Sequence, residues 1–169
     1  PHPNGEADAS LVLSARGLNV WGSRSYQEGR FVVQDEGSQF IANCCIVGGT
    51  SAGLTVLDYC SGNGGKALAL ASRGCAVTSH DVDPKRLRAQ QANARRCRAE
   101  ALISVCDDIS SLAKCARRFN VVLVDAPCSS SGAWRRAPSA RWATSESELG
   151  VTQKLQFEIL TSAAKFTDS

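Results

Sequence analysis

Acids stand at or just beyond the ends of four short apolar runs. They are Asp58 after Leu54–Leu57, Asp81 after Ala76–Thr78, Asp107 and Asp108 after Leu102–Val105, and Asp125 after Val121–Val124. Between the first two lies a glycine loop, Val56-Leu-Asp-Tyr-Cys-Ser-Gly-Asn-Gly-Gly-Lys66, and behind the last comes Asp125-Ala-Pro-Cys128, which puts a thiol beside an acid. Glycines let backbone approach a ligand closely, and three ligands compete for this loop. A phosphate cradle fails on spacing, because Cys60 stands where its first glycine is needed and Ala67 replaces the magnesium-binding hydroxyl. A dinucleotide site fits loosely through Gly62-x-Gly64-x-x-Ala67, with Asp81 about 20 residues on, where a ribose-binding acid is wanted.

Asp58 speaks for a third ligand. A pyrophosphate is anionic and gains nothing from a carboxylate at the strand end that feeds its loop. The methionine end of S-adenosylmethionine carries an ammonium and a sulfonium, which Asp58 would attract, while Asp81 could accept hydrogen bonds from ribose hydroxyls. A plain tight turn with a helix-capping acid would explain the glycines but not acids on four strand ends. The residues favour the methyl donor and leave the dinucleotide open.

Composition narrows the class. The 169 residues fit one domain with a real core, and 43% hydrophobic with 21% charged residues is ordinary globular usage. There is no long apolar run and no basic-then-apolar N-terminus, so neither a membrane span nor a secretory signal is legible. Eight cysteines, at 44, 45, 60, 75, 97, 106, 115 and 128, include no C-x-x-C pair and several fall in apolar or helical segments, so they read as reduced core residues. His2 and His80 lie near no ligand cluster, and no metal is expected. The net charge of +3 is modest, but Lys85, Arg86, Arg88, Arg95, Arg96 and Arg98 form a run without an acid. Arg117 with Arg118, and Arg135, Arg136 and Arg141 around Trp134 and Trp142, add further basic points. That distribution suits a polyanion, although each cluster alone could be a solvated face.

The elements that must position these residues alternate. Each acid-tipped run is a short strand, the third and fourth being Leu102–Val105 and Val121–Val124. A helix is expected over Gly65–Ser72. Another is capped by Asp83 with Pro84 in its first turn, and gathers Leu87, Ala94 and Cys97 on one side and most of the basic run on the other. A last helix opens at Ser145, where Glu148 completes a capping box, and runs to about Lys165 through Gly150. Alternation of this kind implies right-handed crossovers and a parallel sheet with helices on both faces, whose ligands bind beyond the carboxyl ends of the strands. Residues 1–28 read as a linker or the end of a preceding domain, and Leu11–Tyr26 resists assignment.

Several motifs, in order, make a family legible. They are Gly29-x-x-x-Val33-Gln-Asp-Glu-Gly-Ser-Gln39, Leu57-Asp-x-Cys-x-Gly-x-Gly-Gly-Lys66, Asp81-Val-Asp-Pro-Lys-Arg-Leu87 and Asp125-Ala-Pro-Cys-Ser-Ser-Ser-Gly132, followed by Arg135-Arg-x-Pro138, Arg141-Trp142 and Gln156-x-x-Ile-Leu160. Over about residues 29–165 the chain resembles the Sun/RsmB family of S-adenosylmethionine-dependent RNA cytosine-C5 methyltransferases. The resemblance implies a Rossmann-like α/β methyltransferase fold occupying residues 29–169 without its C-terminal strands. It implies an RNA substrate, ribosomal or transfer; the expected enzyme is monomeric and cytoplasmic, with the nucleus or an organelle as alternatives, and the residues themselves give no metal and no membrane. It carries Cys60, Ser61, Gly62, Asn63, Gly64, Gly65, Lys66, Asp81, Asp107 and Asp125 onto the cofactor, with Asp108 the weaker alternative to Asp107. Arg135, Arg136 and Arg141 fall to RNA, Asp125 to the charge on the cytosine ring, and Cys128 to release of product. Asn63 and Ala67 depart from the family's usual Pro and Thr. The family's attacking cysteine, in a Thr-Cys-Ser segment, is expected beyond Ser169, since no Thr-Cys occurs in the sequence. A non-catalytic module that binds the methyl donor or RNA is the alternative reading of this chain.

Overall fold

The structure, a computed structural model, describes residues 17, 19–46, 51–114, 116–134, 138–143 and 145–167. Four strands form one parallel sheet: β1 (Thr55–Asp58), β2 (Ala76–His80), β3 (Ile103–Cys106) and β4 (Val121–Leu123). Their order is β3-β2-β1-β4, with Val56 beside Val77 and Val121, and Val77 beside Ile103. The chain steps outward from β1 to β3 and then returns to the other side of β1. The switch point of the sheet therefore lies between β1 and β4, and Asp58 and Asp125 flank it.

Helices cover both faces. On one, Val56, Val77, Ile103 and Leu123 pack with Ala42 of α2 (Glu36–Cys44), Ala67, Leu68, Leu70 and Ala71 of α3 (Gly65–Ala71), and Ala94 of α4 (Pro84–Arg96). On the other, Leu57 and Cys106 pack with Leu112 of α5 (Ile109–Lys114), Phe119 and Phe166. The alternation of a strand explains the split, since Val56 and Leu57 are neighbours that point to opposite faces. Cys75 and Cys106 are buried core thiols, as their apolar contexts suggested.

Sequence signals place the ends of the helices well. Asp83 accepts from the Lys85 amide at 2.8 Å with Pro84 in the first turn, and Ser145 with Glu148 forms the reciprocal capping box of α6 (Glu146–Ala163). Gly150 sits inside α6 without ending it. After α6 the chain turns so that Thr167 pairs in parallel with Phe119, just before β4. Helix α2 was not foreseen, while α5 is the helix that Asp107 or Asp108 could cap. A short helix, α1 (Arg24–Gln27), also occupies part of the segment that resisted assignment; residues 11–16 and 18 lie outside the described residues.

One member of the basic run is not a surface charge. The Arg96 guanidinium donates to the carbonyls of Tyr26 at 2.6 Å and Phe31 at 3.2 Å, and lies 3.9 Å over the Tyr26 ring. Gly29, at φ +72°, rests against the Arg96 carbonyl where a Cβ would collide. Arg96 thus clamps residues 26–31 to the end of α4, which removes it from the exposed basic stripe. Arg88, Arg95 and Arg98 stay exposed.

Candidate functional site

The glycine loop is held from below by backbone and by one buried amide. Ser61 N donates to His80 O and Gly64 N to Ser61 O, both at 2.9 Å, while Gly62 and Gly64 take φ of +54° and +82°. Gln90, fully buried in α4, accepts from Ser61 Oγ at 2.9 Å and donates to Ser79 Oγ at 2.5 Å. Its stem fills the space a Cβ on Gly64 would need. Gly64 is therefore required twice, by its left-handed backbone and by the approach of Gln90. Asp81 ties the loop to the next element: one oxygen accepts from Gly62 N and the other from Asp83 N, each at 2.9 Å, with Arg86 3.7 Å away. Each carboxylate oxygen can accept more than one hydrogen bond, so Asp81 keeps capacity for a ligand hydroxyl.

At the switch point three charges converge. Lys66, in the first turn of α3, meets Asp125 at 2.5 Å and Ser38 Oγ at 3.5 Å, linking the glycine loop to the Asp-Ala-Pro-Cys segment and to α2. Asp58 is 1% exposed, and neither carboxylate oxygen has a hydrogen-bond partner among the described residues. Burial pushes its carboxyl up from 3.8 to about 7; Lys66 pulls the other way, while Asp125 and Asp81 add to the rise. Cys60 is raised to about 11 by burial and by the same three acids, so its thiol stays protonated. It can line a pocket but cannot attack.

The remaining candidates divide. Cys128 is exposed, its sulfur accepting from Ser130 N at 3.4 Å. Gln156 of α6 donates to Pro127 O at 2.8 Å and pins the loop that carries Cys128. Asp108 caps α5, accepting from Ser110 N at 2.9 Å and Ser110 Oγ at 2.8 Å, and these bonds hold its carboxyl below the usual range. Asp107 stands exposed at the end of β3. Arg135 and Arg136 lie outside the described residues, as does the side chain of Arg141. Gln34 and Ser38 fall inside the Gly29–Gln39 motif but were given no role at the site, and Gln90 was not singled out. Gln90 did carry a signal, since it shares the apolar side of α4 with Leu87 and Ala94.

Residues 50–169 match the family described as 16S rRNA methyltransferase RsmB/F. A Mycobacterium tuberculosis protein (strain H37Rv) assigned to the methyltransferases is 37% identical over 146 residues, covering 83% of this chain and 31% of its own. Ribosomal RNA small subunit methyltransferase B of Cronobacter sakazakii is 32% identical over 138 residues, covering 80% and 32% respectively. The chain thus spans about a third of the length of these curated relatives. Among solved structures, NSun6 from Pyrococcus horikoshii with SFG superposes with a TM-score of 0.77 at 19% identity, over 89% of this chain and 38% of that one. A methyltransferase homolog protein from the same organism gives 0.70 at 20% identity, over 90% and 48%. These superpositions establish the fold alone, an α/β methyltransferase architecture with the sheet order described above.

Proposed function

The chain belongs to the 16S rRNA methyltransferase RsmB/F family, and on that premise we propose that its protein transfers a methyl group from S-adenosylmethionine to C5 of cytosine in RNA, ribosomal RNA first. The observation that carries this is the Lys66–Asp125 pair, which joins the loop expected to hold the methyl donor to the segment expected to hold the base. The orphaned carboxylate of Asp58 fits a ligand with a cationic end better than it fits a pyrophosphate.

Residues 60–66 with Asp81 and Asp107 would hold the donor, which supplies a sulfonium-activated methyl group when bound. Cytosine C5 is a weak nucleophile until a thiolate adds to C6 of the same ring. Asp125, half exposed and beside Lys66, would stabilise charge developing at N3 or the exocyclic amine. Cys128 assists elimination, and the attacking thiolate belongs to another cysteine outside these 169 residues. Arg135, Arg136 and Arg141 contact the RNA backbone.

The test is transfer of a labelled methyl group from the donor to RNA by the protein, followed by digestion to nucleosides. Label in 5-methylcytidine, lost in Asp125→Ala, is expected. Donor and RNA binding with no transfer would make this a binding module instead, and label on another base or on ribose would refute the assignment to C5.

A further inference from the structure

Residues 21–31 fold back on the far end of α4, and aromatic rings and arginines gather where they meet. Trp21 stands edge-on to Tyr26 with ring centroids 5.0 Å apart, Tyr26 follows with Phe31 at 5.8 Å, and the Arg96 guanidinium lies over Tyr26. Tyr26 and Phe31 are half-buried, whereas Trp21 is 56% exposed. Packing accounts for the first two rings but not for an indole left open. Few acids answer the arginines around it. Arg24 and Arg30 share one carboxylate, Glu28, at 2.6 and 2.8 Å. Arg95 and Arg98, on either side of the Arg96 contact, are exposed and make no ion pair among the described residues. Glu100 shares a groove beside β3 with Arg95 but does not pair with it. Arg98 takes φ +57° where α4 ends in an Ala99 N to Ala94 O bond, a position that glycine usually fills. The cations continue toward the glycine loop: Arg88 lies on the same side of α4 as Arg95, two turns nearer, and Lys85 stands beside the Asp83 cap. With 13 residues in α4, the rings and the loop are about 20 Å apart.

We propose that Trp21, Arg30, Arg95 and Arg98 form a docking site for a single-stranded segment of RNA. Trp21 stacks on an unpaired base and the arginines meet phosphates, while Arg88 and Lys85 guide the strand along α4 toward the cleft. Stacking on an open ring asks for no particular base, and a guanidinium can hold a phosphate through two parallel hydrogen bonds. A base locked in a duplex cannot reach the indole, so the site selects unpaired RNA. The inference rests on the reading of RNA as the substrate and adds to it a second surface, carried by residues other than Arg135, Arg136 and Arg141.

Fluorescence anisotropy with a labelled single-stranded RNA of about a dozen nucleotides, followed across a salt series, tests this. Trp21→Ala should weaken binding about tenfold without changing the salt slope, and Trp21→Phe should recover part of the loss. Arg95→Gln combined with Arg98→Gly should lower the slope of log affinity against log salt by about 1.4, at about 0.7 for each phosphate contact removed. Glycine relieves the left-handed backbone at 98, so urea unfolding should find Arg98→Gly at least as stable as wild type, which separates a lost contact from a lost fold. Arg117→Gln with Arg118→Gln, just before β4, should lower the slope much less. Equal slope changes from the two arginine pairs would mean diffuse attraction, and unchanged affinity in Trp21→Ala would leave Trp21 a structural ring; either result overturns the docking site. If the wild-type protein binds no RNA, the RNA reading itself fails and the site falls with it.

Discussion

Replacing Asp58 with Asn should stabilise the ligand-free protein, and the gain should depend on pH in a defined direction. The folded carboxyl titrates near 7 and its ordinary value is 3.8. Below about pH 4 both folded and unfolded chains hold the proton, and Asp58 exacts no penalty. Between about 4 and 7 the folded chain keeps a proton that the unfolded chain has lost, so stability falls by ~1.4 kcal/mol per pH unit. Above 7 both are ionised and the loss levels off at roughly 4 kcal/mol. Asn has the same shape and no charge, so it escapes this loss while retaining a buried, unpaired polar end. Urea unfolding of wild type and Asp58→Asn at pH 4, 6 and 8 would read the effect. With a slope of about 2 kcal/mol per molar urea, the midpoints should coincide at pH 4 and differ by about 2 M at pH 8, the variant being the more stable. A difference independent of pH, or a variant weaker at pH 8, would show that Asp58 is not a buried charge awaiting a cation. The same substitution should weaken S-adenosylhomocysteine binding, the expected trade between stability and a site held in strain.

Two further outcomes follow from the loop and its neighbour. Gln90→Leu should destabilise the protein by about 1–3 kcal/mol, because the hydroxyls of Ser61 and Ser79 lose their buried partner; a chemical unfolding curve unchanged from wild type would contradict the network. Cys128→Ala, in the protein carrying the family's attacking cysteine, should leave enzyme covalently attached to RNA, seen as a slower band on a denaturing gel; complete loss of methylation without that band would make Cys128 the attacker.

The strands and the acids at their ends were readable because both signals are local: apolar runs followed by acids and glycines need no tertiary knowledge. The caps at Asp83 and Ser145 were readable for the same reason. What stayed hidden depends on contacts distant in sequence. Arg96 looked like part of a charged face because helical periodicity cannot show that Tyr26 and Phe31 fold back over it, 70 and 65 residues away. Helix α2 is only nine residues long, and its hydrophobic side includes exposed Phe40 and Ile41, so periodicity was a weak guide. Gln90 is an ordinary surface type whose importance lies in burial. Asp108 ranked below Asp107 by resemblance alone, and the hydrogen bonds from Ser110 to both its oxygens needed the structure to be seen.

The account turns on what the strand-end cleft binds. Calorimetry should place S-adenosylmethionine and S-adenosylhomocysteine on the protein with a one-to-one stoichiometry. Asp81→Ala should weaken both, through loss of ribose hydrogen bonds and of its hold on Gly62. A nicotinamide dinucleotide should bind far more weakly than either, because its anionic pyrophosphate gains nothing from the carboxylate of Asp58 at the start of the loop. Tighter binding of the dinucleotide than of both methionine-derived ligands would contradict the assignment of this cleft to a methyl donor.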